Sequence, residues 1–448
     1  MIKPEVVACT AVHPLPDGEL RLLGAVDCVT GAMTRVEIGG TCILVDCGIS
    51  QGREARNWAF PDAARDVDAV VLTHGHLDHI GSLPHLLDGG FDKPIFATAA
   101  TLDIARISLE DTLSMQRASF RQTKGLLEAF DRLSHPIAYD QRGPLSTPAV
   151  SFTFREAGHI LGSASVEVVS DKSRVILSGD LGRPRAPLLR DPFSDWPQGP
   201  PVDLVVMEST YGERDHEHGH EDIAAKLLSV VQETVARKGK IFIPAFAIGR
   251  TQVILYFLNE LVESGRLPLV PVAVDTPMGL LVTATYSKFQ QLYDEESLHR
   301  LARGDAPLDF GELYACKRGG DSARLREAEG PMIIIAGSGM LTGGRIISHL
   351  VEGGLSDERN TLLFAGHQGA GTPGRRIQDA GRSGGKVWLD GQEVPVRARI
   401  DTLRGLSAHA DRKELAAWLG AIPQVKRVAL HHGEVSAQRA LVSYLGGR

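Results

Sequence analysis

The chain has 448 residues, 43% of them hydrophobic and 23% charged, with a formal net charge of −7. This is the balance of an ordinary soluble globular protein, long enough for two lobes, and no apolar run approaches the roughly 20 residues needed to span a bilayer. A nucleic-acid binder is usually basic overall, so the acidic balance argues mildly against one, although a local cleft can still be positive. The amino terminus Met1-Ile2-Lys3-Pro4-Glu5 lacks the apolar stretch of a signal peptide. The five cysteines include no Cys-x-x-Cys pair. The expectation is therefore a cytoplasmic protein without a disulfide framework or a thiolate metal site.

Residues 35–38 and 41–46 read as paired strands around the turn Gly39-Gly40. The apolar run Ala69-Val70-Val71-Leu72 reads as a buried strand, and directly after it comes Thr73-His74-Gly75-His76-Leu77-Asp78-His79-Ile80. Residues 101–130 read as one helical stretch, with Leu102, Ala105, Ile107 and Leu109 as its apolar stripe. Residues 150–154, 165–169 and 173–177 continue the strand pattern. Pro184, Pro187, Pro192, Pro197, Pro200 and Pro201 then exclude a regular element, leaving a crossing between lobes or a rigid surface loop. From about residue 203 the rhythm changes to strand 204–207, amphipathic helix 222–237, strand 241–243, helix 251–262, and strands at 269–274, 332–336 and 362–365. Such alternation predicts a mostly parallel sheet covered on both faces. After Gly391 short strands return, with a helix at 412–419.

Three imidazoles and one carboxylate within His74–His79, at the exit of a buried strand, are what a divalent transition metal needs. Imidazole nitrogen and carboxylate oxygen bind zinc at about 2.0–2.2 Å. The bland alternative, a polar loop that happens to be rich in histidine, sits poorly with so many donors around one glycine. Asp46 closes a strand before Cys47-Gly48, and a turn-capping aspartate is an equally good reading of it. His159, in Ala157-Gly158-His159-Ile160-Leu161-Gly162, and Asp180, in Ser178-Gly179-Asp180-Leu181-Gly182, each lie among small residues that permit close backbone approach. Singly, each is more often a core or turn residue. Together with the first tract they supply enough groups for two metals. His409 and His432 also follow apolar strand ends, whereas Asp215-His216-Glu217-His218-Gly219-His220 lacks a buried strand before it and reads as a solvated loop that starts a helix.

In this order Asp46, His74-x-His76-x-Asp78-His79, His159 and Asp180 resemble the successive motifs of the metallo-β-lactamase fold. Glu208-Ser209-Thr210-Tyr211-Gly212, Pro244-Ala245-Phe246-Ala247-Ile248-Gly249-Arg250, Gly337-Ser338-Gly339-Met340 and Ser407-Ala408-His409 resemble the β-CASP branch, and within it the nuclease subunit of the cleavage-and-polyadenylation machinery and its bacterial and archaeal relatives. The resemblance covers nearly the whole chain. It implies an α/β protein, with a metallo-β-lactamase αββα sandwich at 1–202 and 392–448 and an inserted β-CASP α/β domain at 203–391. It also implies two Zn2+, for which Mn2+ could substitute. His74, His76 and His159 would hold the first ion and Asp78, His79 and His409 the second, with Asp180 bridging and His432 beside them. Asp46 would orient a ligand from behind. Glu208 stands at the first β-CASP acidic motif and His409 at the third, where histidine marks RNA-directed members and valine DNA-directed ones. Three positions depart from the family pattern: Arg376 stands where the eukaryotic subunit carries a histidine, His367 where a tyrosine is usual, and Thr276 where a serine is usual.

The expected function is hydrolysis of phosphodiesters in single-stranded RNA, internally or from the 5′ end. Two metals about 3.5–4 Å apart suit in-line attack. Asp78 or Asp180 would orient a hydroxide, and Glu208 or His432 would assist the leaving sugar oxygen. Backbone N–H groups of Gly337-Ser338-Gly339 are expected to cradle a phosphate, with Arg250 and Ser407 as further RNA contacts; a structural ion pair is an equal reading of Arg250. The rivals are a DNA-directed β-CASP nuclease, a thioester, lactam or lactone hydrolase on the same fold, and a metal-free scaffold. A homodimer paired through the carboxy-terminal region is the assembly that the resemblance suggests.

Overall fold

The computed structural model describes residues 5–7, 11–50, 58–217, 219–267 and 270–447. Residues 1–4, His218 and residue 269 of the strand expected at 269–274 lie outside them. The chain divides into two compact units, residues 1–215 with 408–448, and residues 216–407.

The first unit holds two seven-stranded sheets. One runs Val12–Leu15, Gly18–Leu22, Thr34–Ile38, Thr41–Val45, Ala69–Val71, Ile95–Ala97, Ser134–Pro136, in that spatial order. The other runs Glu5–Val7, Arg427–His431, Leu204–Glu208, Arg174–Leu177, Ala164–Val169, Ser151–Glu156, Arg142–Pro144. Strand residues alternate between faces, and here both faces are apolar. Ala69 and Val71 pack between the sheets, with Val36, Ile43, Phe152, Phe154, Val166 and Val206. Val70 and Leu72 point the other way, into a cluster with Leu102, Leu109, Leu127 and Phe130 of two covering helices. On the second sheet Val206 faces inward, while Val205 and Met207 meet Leu415, Trp418 and Leu441 of the carboxy-terminal helices. Two sheets face to face, each backed by helices, form the αββα sandwich that the resemblance implies.

The second unit is built on six strands in the order Leu313–Ala315, Val272–Asp275, Met332–Ala336, Lys240–Pro244, Thr361–Phe364, Arg399–Thr402. Every pairing in it is parallel. Parallel strands need crossover connections, here helices such as Arg250–Glu263 and Pro277–Lys288, which leave the central strands fully buried.

Three sequence expectations differ from this arrangement. Residues 101–130 form two helices, Ala99–Met115 and Phe120–Leu133, because Arg117 turns to φ +57° and Ser119 caps the second helix in a capping box with Gln122. The units divide at 215/216 and 407/408 rather than at 202/203 and 391/392. Leu204–Glu208 hydrogen-bonds between Arg174–Leu177 and Arg427–His431, so it belongs to the sandwich, while Arg399–Thr402 pairs with Thr361–Phe364 in the inserted sheet. The short strand Gln392–Pro395 closes a hairpin with Lys386–Leu389 and does not return to the sandwich. The proline-rich stretch crosses nothing. It is pinned to the first unit by buried Trp196, whose ring meets Trp418 at 5.7 Å, and by the guanidinium of Arg174, which donates to the Pro200 carbonyl at 3.0 Å.

Phe152 is fully buried between the sheets, its ring 5.2 Å from those of Phe96 and Phe154. We expect Phe152→Ala to cost about 3–5 kcal/mol in urea denaturation. Trp388→Ala, on the hairpin and 67% exposed, should cost no more than about 0.5 kcal/mol. Equal costs would contradict this placement of the core.

Candidate metal centre

The strand Ala69–Val71 lies between parallel neighbours Thr41–Val45 and Ile95–Ala97, so its chain exit is fixed on both sides. The exit is tied down by Asp46, whose two carboxylate oxygens accept from the backbone N–H and the hydroxyl of Thr73, both at 2.8 Å. The backbone bends at Thr73 and Gly75, is extended at His76, and then makes a single helical turn, Leu77–Ile80, which presents Asp78 and His79. Gly75 is required between the two histidines: a Cβ there would stand 2.6 Å from the Ile104 side chain of the helix passing overhead. Asp46 (φ +62°) and His432 (φ +51°) both adopt left-handed backbone where a strand ends, and Asp and His tolerate it better than most side chains. Each turns its side chain back toward the sheet end.

Two donor sets meet around Asp180. His76 Nδ1 lies 3.1 Å from His74 Nε2 and 3.2 Å from His159 Nε2, and both of those nitrogens are 3.6 Å from Asp180 Oδ2. On the other side His79 Nε2 lies 3.3 Å from His432 Nε2 and 3.3 Å from Asp180 Oδ1, and Asp78 Oδ2 is 3.6 Å from His432 Nε2. Within each set the donor atoms lie within 4.8 Å of one another, as they do in a third group that shares the carboxylate, Asp180, Glu208 and His409. Asp180 is 2% exposed, and its Oδ1 has no hydrogen-bond donor. Buried acceptors with no donor, facing one another at these distances, are costly in any state except one in which cations sit between them. The chemistry of the residues therefore fits divalent cations.

The remaining ring nitrogens fix which lone pairs point inward, as the outer partners of metal-binding imidazoles do. His79 Nδ1 donates to Asp46 at 2.7 Å and His159 Nδ1 to the Ala408 carbonyl at 3.2 Å. The Thr73 hydroxyl, already donating to Asp46, accepts from His74 Nδ1 at 3.1 Å. The Thr210 hydroxyl donates to the His432 carbonyl and so accepts from His432 Nδ1 at 3.2 Å. Burial holds the His74, His76 and His159 rings below their ordinary pKa, which keeps them neutral. Burial also pulls on His79, but the carboxylates of Asp180 and Asp46 outweigh it and carry that ring well above its ordinary value. Burial pushes Asp180 up, yet His432, His79, His409 and His74 around it hold the carboxyl well below the usual range.

His74, His76, Asp78, His79, His159 and Asp180 thus come together in space, although the tract, the His159 loop and Asp180 are far apart in the chain. His432, not His409, stands with Asp78 and His79. His409 is drawn aside by Glu208, whose carboxylate oxygens accept from its Nδ1 at 3.1 and 3.2 Å. Glu208 is fully buried, fixed by the backbone N–H of Leu181 at 2.7 Å and of Thr210 at 3.3 Å. Burial lowers His409, but Glu208 and Asp180 overcome it and push the ring up to about 9. Two hydroxyls that fix imidazoles here, Thr73 and Thr210, were not singled out from the sequence; their only signal was a place beside a histidine and beside Glu208.

The other expected contacts lie in or at the end of the second unit. Arg250 begins the helix Arg250–Glu263 behind Gly249, as expected. The backbone N–H of Ser338 already donates to the Gly343 carbonyl at 3.1 Å, so it is not available to cradle a phosphate; Gly339 is held from the other side, its carbonyl accepting from Gln368 Nε2 at 2.9 Å. Ser407 closes this unit. Arg376 donates to the Gly371 carbonyl at 3.0 Å.

Family models match in three consecutive segments: the metallo-beta-lactamase superfamily at residues 26–245, the Beta-Casp domain at 251–377, and the Zn-dependent metallo-hydrolase RNA specificity domain at 393–447. Ribonuclease TTHA0252 of Thermus thermophilus is 39% identical over 427 residues, covering 95% of both chains. An RNase J-like protein of Methanocaldococcus jannaschii is 29% identical, covering 88% of this chain and 87% of that one. The transcription termination factor FttA of the same organism is 30% identical over 90% of this chain, which spans only 64% of that longer protein. A solved structure of a protein of unknown function from Enterococcus faecalis superposes with a TM-score of 0.55 over 92% of this chain and 93% of that one, at 13% identity, and bears on the fold alone. The chain belongs to the β-CASP ribonuclease family of the metallo-β-lactamase superfamily.

Proposed function

We propose that this protein is a two-zinc ribonuclease that cleaves single-stranded RNA at the Asp180 centre. The observation that carries the reading is the single carboxylate with one donor set on each oxygen, His74, His76 and His159 by Oδ2, and Asp78, His79 and His432 around Oδ1. Nitrogen and carboxylate donors without thiolate suit zinc, and Mn2+ as a substitute. When bound, the ions would supply a hydroxide from acidified water and neutralise the phosphate oxygens. RNA as substrate is supported by the matching RNA specificity segment, by the ribonuclease relatives, and by histidine at position 409. No helix among the described residues is long and apolar enough to cross a membrane.

The protein's own groups then divide the work. Asp46 fixes the orientation of His79 through its Nδ1, so that a cation would replace the proton on its Nε2, and the Ala408 carbonyl holds His159 in the tautomer that presents a lone pair to the centre. His409 has the opposite character. With Glu208 and Asp180 keeping its proton on, it presents a charged ring beside the centre and suits protonation of the leaving sugar oxygen. That role moves from Glu208 or His432, the sequence-based candidates, to the Glu208–His409 pair, with Glu208 acting through the ring it orients.

Purified protein treated with a chelator should lose cleavage of single-stranded RNA and recover it on addition of zinc. Asp180→Asn should fold normally and lower cleavage on the order of a thousandfold, roughly 4 kcal/mol of transition-state stabilisation. Activity within tenfold of the parent would remove Asp180 from the bridging position. His432→Ala should lose bound metal, whereas His409→Ala should retain it and lose about 10²–10⁴ in kcat, the range of a general acid. Metal loss in His409→Ala with full metal in His432→Ala would restore the sequence-based ligand set.

A further inference from the structure

All six strands of the second unit's sheet run parallel, so their carboxyl ends share one edge, the edge at which open α/β sheets bind ligands. The loops that leave three adjacent strands there, Met332–Ala336, Lys240–Pro244 and Thr361–Phe364, are knitted together. The backbone N–H of Ala245 donates to the Ala336 carbonyl at 3.1 Å. Gln368 Nε2 bridges to the Gly339 carbonyl, and the Arg250 guanidinium lies so close to Gly366 that a Cβ there would come within 2.4 Å of it.

Phe246 projects from this edge and is 45% exposed. Single exposed aromatics are ordinary, and Phe120, 83% exposed near a helix start, is one here. Phe246 differs because nothing about it is loose. Its carbonyl accepts from both the backbone N–H and the hydroxyl of Thr251, at 3.1 and 2.8 Å. Its ring is seated on Gly339: a Cβ at that position would meet Cδ2 and Cε2 at 3.0 Å, so a larger residue there would push the ring from its seat. A large apolar surface left partly in water, on a braced loop at the ligand edge and four residues before a guanidinium, is pre-organised for a flat partner.

We propose that Phe246 is a stacking platform for one nucleobase of single-stranded RNA, beside the backbone contact expected of Arg250. The proposal rests on the RNA-cleaving function proposed above and adds a subsite to it. Stacking on an aromatic ring is worth roughly 1–3 kcal/mol per base and needs no particular base edge.

The test measures steady-state cleavage of short oligoadenylate and oligouridylate by the zinc-loaded protein and its Phe246→Ala and Phe246→Trp variants, with melting temperatures alongside. For oligoadenylate Phe246→Ala should raise KM about tenfold, with a smaller rise for oligouridylate, and Phe246→Trp should stay near the parent. The dependence of log KM on log salt should keep its slope, since no phosphate contact is removed. An unchanged KM in Phe246→Ala, an equal loss in Phe246→Trp, or equal losses on both oligomers with a lowered melting temperature would overturn the proposal. Failure of the parent protein to cleave either oligomer would instead overturn the proposed function, whatever stands at position 246.

Discussion

Lone pairs that face one another inside a protein must be answered by something positive. In this chain three imidazole nitrogens converge on one oxygen of Asp180, and two further histidines with Asp78 gather around the other. The carboxylate between them is 2% exposed and one of its oxygens accepts nothing. Burial alone pushes a carboxyl toward its neutral form and a histidine toward its neutral form as well. Here burial wins at His74, His76 and His159, while the surrounding charges win at Asp180 and His79. The outcome is a cage that is rich in acceptors on one side and charge-balanced on the other, which is the electrostatic character of a divalent-cation site.

The sandwich exists to hold that cage open. Asp46, the His74–His79 tract, Asp180, Glu208 and His432 all lie at or just past strand ends of the two packed sheets, and His159 lies on the loop between Ser151–Glu156 and Ala164–Val169. Apolar strands buried on both faces fix each exit point, and small residues beyond it, such as Gly75, let the chain turn within reach of its neighbours. What separates His74 and His159 from His409 is the partner on the far nitrogen. A hydroxyl or a carbonyl stands behind the two rings that burial keeps neutral, whereas the Glu208 carboxylate leaves His409 charged. In the function proposed, one residue type would thereby serve as ligand and as proton donor within a few ångströms.

Much of this was legible in the chain. The histidine tract announced itself because its donors are contiguous, and alternation of apolar strands and amphipathic helices announced the parallel sheet of the second unit. What could not be read depended on tertiary neighbours. Residues 101–130 carry helical periodicity throughout, and the break at Arg117 is local turn chemistry with a weak signal. The strands Leu204–Glu208 and Arg399–Thr402 are equally good strands in either sheet, and only their pairing partners assign them. His409 and His432 stand in like sequence surroundings, each after an apolar run; the distinction lies in Glu208 and Thr210, brought near by the fold from some 200 positions away. Phe246 sat unnoticed inside a quoted motif because exposure is invisible in sequence, and the glycine that seats it comes from another strand's loop.

The most direct test is anomalous diffraction from crystals of the zinc-loaded protein at the zinc edge. The account predicts two peaks flanking the Asp180 carboxylate, one among His74, His76 and His159 and the other among Asp78, His79 and His432. A single peak, or a second peak seated between Glu208 and His409, would contradict it.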